Sequence, residues 1–178
     1  MRKAWLATVM ALGLSLVPST AVPAGASPAP APVPTEAAYE GVLLVNRASG
    51  KCLEIADSSH ANGARAQQWS CDGVANTMRW RIERHGGGDT FRIVNVNSGK
   101  CLEIENGSYE DGARAQQWAC ENLPVMRWYV KLSGDALVVY NEETLRCLEI
   151  ADSSLADGAR AQQWACAYWA TQLWDAIV

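Results

Sequence analysis

The chain has 178 residues, of which 49% are hydrophobic and 19% charged, and its 15 basic and 19 acidic residues give a net charge of −4. The basic residues are interspersed among the acidic ones and form no stripe, which argues against nucleic acid and anionic membrane surfaces as partners.

The first 26 residues have the features of a secretory signal peptide. Arg2 and Lys3 give a positive start, an apolar run follows over residues 4–17, and residues 24–26 (Ala-Gly-Ala) form a small-residue cleavage pattern. The apolar run is shorter than the about 20 residues of a membrane-spanning helix. We therefore expect a secreted, extracellular protein with no membrane span. Cleavage would leave 13 basic and 19 acidic residues, a net charge of −6.

A stretch rich in Pro and Ala, residues 27–39, follows the leader. Such a stretch buries almost nothing and favours extended geometry, so it predicts a semi-rigid linker. The remaining residues, 40–178, have a usual size for one domain.

Residues 40–178 contain an internal repeat marked by cysteines. Three segments of twenty residues begin and end with Cys, and thirteen positions are the same in all three. They read CLEIADSSHANGARAQQWSC, CLEIENGSYEDGARAQQWAC and CLEIADSSLADGARAQQWAC, with offsets of 49 and then 46 residues. This fidelity predicts three copies of one structural unit, over about residues 40–87, 88–134 and 135–178.

The six cysteines are expected to be oxidised, because the chain carries an export signal. Six cysteines allow fifteen connectivities, and the repeat favours the set that makes each unit locally alike. This set is Cys52–Cys71, Cys101–Cys120 and Cys147–Cys166. A metal site is not favoured, since no C-x-x-C occurs and the only histidines are His60 and His85. We expect no metal and no other cofactor.

Each unit reads as four short strands, and the whole as all-β. An alternating apolar pattern precedes each first cysteine, as in Val42 and Leu44, which suits a strand with one buried face. The Asn62-Gly63 dipeptide and its Asp-Gly counterparts favour a hairpin turn, because these residues accept a positive φ. The last tryptophan of each unit is predicted to anchor the core: Trp80, Trp128 and Trp174.

Three units with C-L-E-I, an N-G or D-G turn, Q-x-W and a second tryptophan resemble ricin-B-type β-trefoil lectins, especially the bacterial carbohydrate-binding modules of this type. The resemblance covers essentially all of residues 40–178. It implies a β-trefoil of three pseudo-symmetric four-stranded repeats, in which a six-stranded barrel is capped by three hairpins. It also implies one shallow sugar pocket per unit.

In such lectins an acidic residue just after the first cysteine accepts hydrogen bonds from two sugar hydroxyls. An aromatic ring fifteen positions later faces the C–H surface of the sugar, and a nearby amide completes the contacts. Carried over by position, the acids are Glu54, Glu103 and Glu149, the rings are Trp69, Trp118 and Trp164, and the amides are Gln67, Gln116 and Gln162. The carbohydrate-binding set is completed by Asn76 in unit one and by Thr171 and Gln172 in unit three.

The chain departs from the family pattern at two points. The usual acid is Asp, whereas all three units here have the longer Glu. The usual Asn-Gln-x-Trp is incomplete, because unit one keeps only Asn76 and unit two has no amide there. Units one and three are therefore expected to be the more competent. Unit three keeps Gln172, and Tyr168 with Trp169 would widen its aromatic platform.

Two structural alternatives stay open from the sequence. Each Glu is followed eleven residues later by Arg, so three internal ion pairs could form instead of sugar contacts: Glu54–Arg65, Glu103–Arg114 and Glu149–Arg160. The three Q-x-W rings could likewise pack in the core.

The functional expectation is a monomeric lectin that binds a glycan, with galactose-like or xylan-like sugars as candidates. Catalysis is not expected, because three acids related by threefold symmetry should not approach within the roughly 5–10 Å of a glycosidase pair. The alternative is a protein-binding or inhibitory trefoil whose sugar pockets have decayed. Buried rings with Glu–Arg pairs would favour this alternative, whereas open rings beside Glu would favour sugar.

Overall fold

The computed structural model describes residues 39–178, so the predicted signal peptide and the linker up to residue 38 lie outside the described residues. Twelve β-strands follow one another along the chain. They are β1 Tyr39–Asn46, β2 Cys52–Ile55, β3 Ala66–Trp69, β4 Arg79–Arg84, β5 Thr90–Asn95, β6 Cys101–Ile104, β7 Ala115–Trp118, β8 Trp128–Ser133, β9 Ala136–Asn141, β10 Cys147–Ile150, β11 Ala161–Trp164 and β12 Leu173–Ile177.

Six short 3₁₀ helices connect these strands, two in each repeat. They are Ala56–Ser58, Asn76–Met78, Glu105–Gly107, Pro124–Met126, Ala151–Ser153 and Ala170–Gln172. Over residues 39–178, no helix has the length and hydropathy needed to cross a membrane.

Six of the strands close into a barrel. The antiparallel pairs run β1–β4, β4–β5, β5–β8, β8–β9, β9–β12 and back from β12 to β1. The other six strands form one hairpin per repeat: β2–β3, β6–β7 and β10–β11. This is the arrangement of a β-trefoil, and it confirms the predicted all-β fold of three four-stranded repeats.

The three core tryptophans tie the barrel to the hairpins. Each is fully buried, and a buried indole N–H needs an acceptor. The bonds run from Trp80 to the carbonyl of Leu53 at 2.9 Å, from Trp128 to that of Leu102 at 2.9 Å and from Trp174 to that of Leu148 at 3.1 Å. The prediction of core anchors is confirmed.

The disulfides form within repeats, as predicted. They are Cys52–Cys71, Cys101–Cys120 and Cys147–Cys166. Each one fastens the first residue of a hairpin to the segment that follows its second strand, and so holds the hairpin closed at its base.

The second glutamine of each Gln-Gln pair joins one repeat to the next. Gln117 is fully buried, and its amide donates to the carbonyls of Ser59 and Ala61 in repeat one at 2.8 and 2.9 Å. The same bonds run from Gln163 to Ser108 and Glu110, and from Gln68 to Ser154 and Ala156. The three hairpins therefore form a closed ring, in which the turn of each hairpin lies on its neighbour.

Candidate functional site

The register of each hairpin brings the predicted acid and amide together. In β2–β3, Glu54 lies directly opposite Gln67, so both side chains project to the same face. Gln67 Nε2 donates to Glu54 Oε1 at 2.7 Å. The equivalent bonds join Gln116 to Glu103 at 2.9 Å and Gln162 to Glu149 at 2.7 Å.

The arginines lie two residues further along the same face as the glutamines. Arg65 lies opposite Ala56, whose N–H donates to the Arg65 carbonyl at 3.1 Å, so Gln67 and not Arg65 is the direct cross-strand neighbour of Glu54. None of the ion pairs within residues 39–178 joins Glu54 to Arg65, Glu103 to Arg114 or Glu149 to Arg160. The ion-pair alternative is therefore wrong.

Two of the arginines donate hydrogen bonds to the glutamines instead. Arg65 Nε donates to Gln67 Oε1 at 3.0 Å, and Arg114 Nη2 donates to Gln116 Oε1 at 3.2 Å. With its oxygen held by arginine, each of these glutamines must turn its NH₂ group towards the glutamate. In repeat three this contact is missing, and Gln162 Oε1 is buried with no partner among the described residues.

The carboxylates lie at the floor of shallow depressions. Glu54 and Glu103 are 8% and 7% exposed, and burial raises the pKa of both side chains, while the hydrogen bonds from Gln67 and Gln116 oppose that rise. The second oxygen of each, Oε2, has no partner among the described residues and is not enclosed by protein. It is free to accept a hydrogen bond from outside.

The three Q-x-W rings are open to solvent, which excludes the core alternative for them. Trp69, Trp118 and Trp164 are 43%, 37% and 37% exposed. The edge of each ring lies against a turn glycine of a neighbouring repeat, since a Cβ added at Gly158 would be 3.7 Å from Trp69 Cζ3. Gly63 lies in the same way against Trp118, and Gly112 against Trp164. The contact between neighbouring hairpins thus fixes the orientation of each indole.

Each repeat has one cavity lined by its Glu, Gln and Trp, and we number these cavities by repeat. Site one has a volume of about 350 Å³ and is also lined by Asp57 and Thr77. Site two, of about 360 Å³, is also lined by Asn106 and Val125. Site three is smaller, about 160 Å³, and Trp169 and Thr171 line it as well.

Sequence reasoning missed one lining position in each site. Asp57, Asn106 and Asp152 follow the first hairpin strand with a φ of 57°, a left-handed conformation that Asn and Asp adopt more readily than most residues. All three residues lie in the 3₁₀ turn that follows this strand. The turn also places their polar side chains in the wall of the cavity.

The last part of each repeat supplies different residues from those expected. Asn76 is exposed but does not line site one, and the next residue, Thr77, does. In repeat three, Thr171 lines the cavity as predicted. The equivalent residue of repeat two is Val125, which makes that site more apolar. Repeat one has one extra residue between Cys71 and its 3₁₀ turn. Counting from the cysteine with the spacing of repeat three therefore predicts Asn76, whereas the structure places Thr77 in the cavity.

Gln172 lies at the back of site three rather than at its surface. It is fully buried, and its Nε2 donates to Glu149 Oε2 and to the Ala165 carbonyl, both at 3.0 Å. Its Oε1 accepts from the N–H groups of Ala167 and Tyr168 at 2.8 and 3.0 Å. All its polar atoms are therefore satisfied within the protein, and its role is to position Glu149.

Trp169 lines site three, whereas Tyr168 lines a separate cavity of about 450 Å³. Of the two rings expected to widen the aromatic platform, only Trp169 therefore lines site three. Within residues 39–178, no group of three or more His, Cys, Asp or Glu side chains could hold a metal ion.

Comparison with known proteins identifies the architecture. The sequence matches the family model described as "ricin-type beta-trefoil lectin domain-like" over residues 33–118 and 76–164, together most of the chain. The chain belongs to the ricin-type β-trefoil lectin family. Carbohydrate binding is the general function that this membership supports. A comparison with curated proteins found no match.

Several solved structures are similar to this lectin domain. The designed threefold-symmetric protein ThreeFoil is 28% identical with a TM-score of 0.74, and the match covers 77% of this chain and 97% of ThreeFoil. An exo-β-1,3-galactanase from Clostridium thermocellum is 28% identical with a TM-score of 0.73, covering 83% of this chain but only 31% of the enzyme. The Rhizoctonia solani agglutinin, 17% identical with a TM-score of 0.71 and coverage of 84% and 99%, shares the fold.

Proposed function

We propose that this protein is a secreted lectin module that binds a polysaccharide or glycan through up to three shallow sites, one per repeat. The observation that carries the proposal is the juxtaposition, three times over, of an oriented carboxylate and an exposed indole in one cavity. The three intra-repeat disulfides fit an oxidising, extracellular location.

The chemistry of each cavity fits a pyranose. A sugar presents hydroxyls along its edge and C–H groups on a face, so it needs a charged acceptor beside an aromatic plane. In site one, Glu54 Oε2 provides the acceptor, Trp69 the plane, and Asp57 and Thr77 further polar groups. Because no site encloses a ligand, each is expected to bind weakly, with avidity gained on a surface of repeated sugars.

Open rings and absent Glu–Arg pairs favour sugar binding over the alternative of an inhibitory trefoil with decayed pockets. We also propose that the protein binds without catalysing and acts as a monomer. The galactanase match does not argue for activity, since it covers only 31% of that enzyme. It does make galactose-containing chains a reasonable first probe, beside xylan.

The test is a glycan array on the purified protein, followed by calorimetric titration of the sugars that bind. Trp69→Ala, Trp118→Ala and Trp164→Ala should each lose binding at one site by about tenfold or more, since truncating a central aromatic contact typically costs above 1 kcal/mol. The triple variant should not bind. We expect Trp164→Ala to weaken binding more than Trp118→Ala, because Trp169 and Thr171 add to site three while Val125 adds no polar group to site two.

Leu155→Ala serves as the control, because Leu155 is 60% exposed and lines none of the three sites. Its titration should match that of the wild type. A triple variant that folds and binds as well as the wild type would contradict the proposed sites. A reversed order for the Trp118 and Trp164 variants would contradict the ranking alone.

A further inference from the structure

Repeat three has a second cavity, and the loop that lines site three also lines this cavity. Trp169 lines site three, and the preceding residue, Tyr168, lines the neighbouring cavity of about 450 Å³. Consecutive Cα atoms are 3.8 Å apart, so one loop separates the two cavities. Tyr168 is 59% exposed, and its ring is therefore available for contact.

Gln172 joins this loop to the carboxylate of site three. Its Oε1 accepts from the Tyr168 N–H at 3.0 Å, and its Nε2 donates to Glu149 Oε2 at 3.0 Å. The corresponding residues in repeats one and two are Met78 and Met126, whose side chains cannot hold a carboxylate in this way. Of the three repeats, only the third therefore has one side chain that forms hydrogen bonds both to this loop and to the glutamate of its site.

The second cavity is also lined by an unusual residue, Leu145. Its φ is 55°, in the left-handed region that bulky side chains rarely adopt. Repeats one and two have Gly50 and Gly99 at this position, with φ of 68° and 69°. Tyr168 is also left-handed, with φ 58°. Residues in such backbone conformations cluster at functional sites, and here two of them line the same cavity.

The lining combines apolar faces with polar groups. Leu145 and Tyr168 are joined by Tyr140, and Ser133 and Lys131 supply a hydroxyl and an ammonium. An aromatic face with hydrogen-bonding groups beside it suits a sugar, as in site three, although Ser133 and Lys131 here supply donors in place of the carboxylate. The volume is within the range of small-molecule sites. Tyr140 is backed by Tyr129, with ring centroids 4.8 Å apart, which holds its ring in place.

We propose that repeat three binds an oligosaccharide rather than a single sugar, with one unit in site three and the next in the cavity of Tyr168 and Leu145. This inference rests on the proposed function and extends it. Sites one and two lack the extension, since glycine replaces Leu145 in both repeats. The chain should therefore prefer linear glycans of two or more units over isolated monosaccharides.

The experiment uses the full chain with Trp69→Ala and Trp118→Ala, so that only site three binds. Two series are titrated by calorimetry: galactose to β-1,3-galactotetraose, and xylose to xylotetraose. In the series that binds, affinity should rise by about tenfold between one and two or more units. Leu145→Gly and Tyr168→Ala should each abolish that gain while leaving monosaccharide affinity within about twofold.

Leu145→Gly is the decisive variant, because the protein itself uses glycine at this position twice and folding should be retained. Leu155→Ala on the same background is the control and should keep the gain. If a monosaccharide binds but chain length or these variants have no effect, the extension is wrong and the proposed function stands. If neither series binds site three while Trp164 and Trp169 remain, the proposed function fails for these sugars and the extension fails with it.

Discussion

At the scale of single residues, the central feature is a carboxylate that is almost buried yet forms no ion pair with a cation within residues 39–178. Glu54 accepts one hydrogen bond from a neutral amide, and burial raises the pKa of its side chain. A structural ion pair would have lowered the pKa instead. Burying this carboxyl group without a cation is unfavourable for the fold itself, as expected of a group kept for a ligand.

Replacing Glu54 by Gln should separate the binding role from a structural one. The pKa of Glu54 is higher in the folded state than its ordinary value of 4.5, so the folded state binds the proton more tightly than the unfolded state. The associated stability is present below the unfolded pKa and is lost as pH rises through the folded pKa. At pH 7 the neutral variant should therefore be as stable as the wild type or more stable. Its advantage should vanish on acidification below about pH 4.5.

Sugar affinity at site one should respond in the opposite direction, falling by about five- to tenfold, because a neutral acceptor makes a weaker hydrogen bond than a carboxylate. Chemical denaturation across pH and calorimetric titration provide the two readouts. Glu110→Gln, an exposed acid outside the sites, is the control. A loss of 3 kcal/mol or more at pH 7, a scale typical of a broken buried ion pair, would show a structural role for Glu54.

Much of this site could be predicted from residue spacing, since Glu54, Gln67 and Trp69 keep the same spacing as their counterparts in the other repeats. What spacing could not supply was accessibility. Asn76 is polar and near the site in sequence, yet the one-residue insertion before it places Thr77 in the cavity instead. Gln172 matches the family pattern, yet it is fully buried, and its amide donates a hydrogen bond to Glu149 from behind the site, which spacing alone does not reveal.

At the scale of elements, strand register determines which side chains meet. The Glu–Arg hypothesis assumed that eleven residues would bring the two together, but the hairpin places Gln67 opposite Glu54 and Arg65 opposite Ala56. The sequence contained part of the necessary signal. Cys52 bonded to Cys71 puts the start of β2 beside the end of β3. Counting inwards from the two cysteines pairs Glu54 with Trp69, which is two residues from the observed partner, Gln67, and four from Arg65.

The ring of hairpins is an element-scale feature that sequence reasoning did not predict, although the invariant second glutamine was visible. Gln117→Ala removes two donors to repeat one and leaves Ser98, whose hydroxyl donates to Gln117 Oε1 at 2.6 Å, without its partner. We expect a loss of about 2–4 kcal/mol, since buried carbonyls left unsatisfied cost about 1–3 kcal/mol each and part of this loss is recovered by relaxation. Urea denaturation measures it.

The matched control is Asn76→Ala, an exposed amide for which the structure shows no side-chain hydrogen bond within residues 39–178. Its free energy of unfolding should stay within about 0.5 kcal/mol of the wild type. A similarly small effect for Gln117→Ala would mean that the hairpin turns are held by their backbone hydrogen bonds alone.

At the scale of the whole molecule, one scaffold is used three times and differentiated at a few positions. The residue before the second 3₁₀ turn is Ala75, Leu123 or Trp169 in repeats one, two and three. Each of them lines its own site, and only Trp169 adds a second large ring. Because the ring of hairpins fixes the backbone, such changes alter one site without disturbing the other two. The trefoil thus permits the three proposed sugar sites to differ in selectivity within a single domain.

The same symmetry predicts that the three disulfides contribute about equally to the free energy of unfolding. Each closes a loop of equal length, with a sequence separation of 19, and each first cysteine is fully buried at the base of its hairpin. In the chain-entropy model, such a loop contributes roughly 3 kcal/mol. Replacing any one pair by alanines should therefore lower the free energy of unfolding by about 3 kcal/mol, nearly the same amount in each repeat.

Reducing all three bonds should remove roughly 9 kcal/mol, which is comparable to the whole stability of a typical domain, about 5–15 kcal/mol. We therefore expect the reduced protein to be largely unfolded, and single-pair variants to remain folded with lower melting temperatures. Non-reducing peptide mapping should recover only the three intra-repeat bridges, and circular dichroism with and without reductant should report the unfolding. A bridge between repeats, or one pair whose removal costs far more than the others, would contradict the equivalence of the three hairpins. Equal losses would show that each disulfide stabilises its own hairpin to the same extent, although the buried glutamines join the three hairpins into one ring.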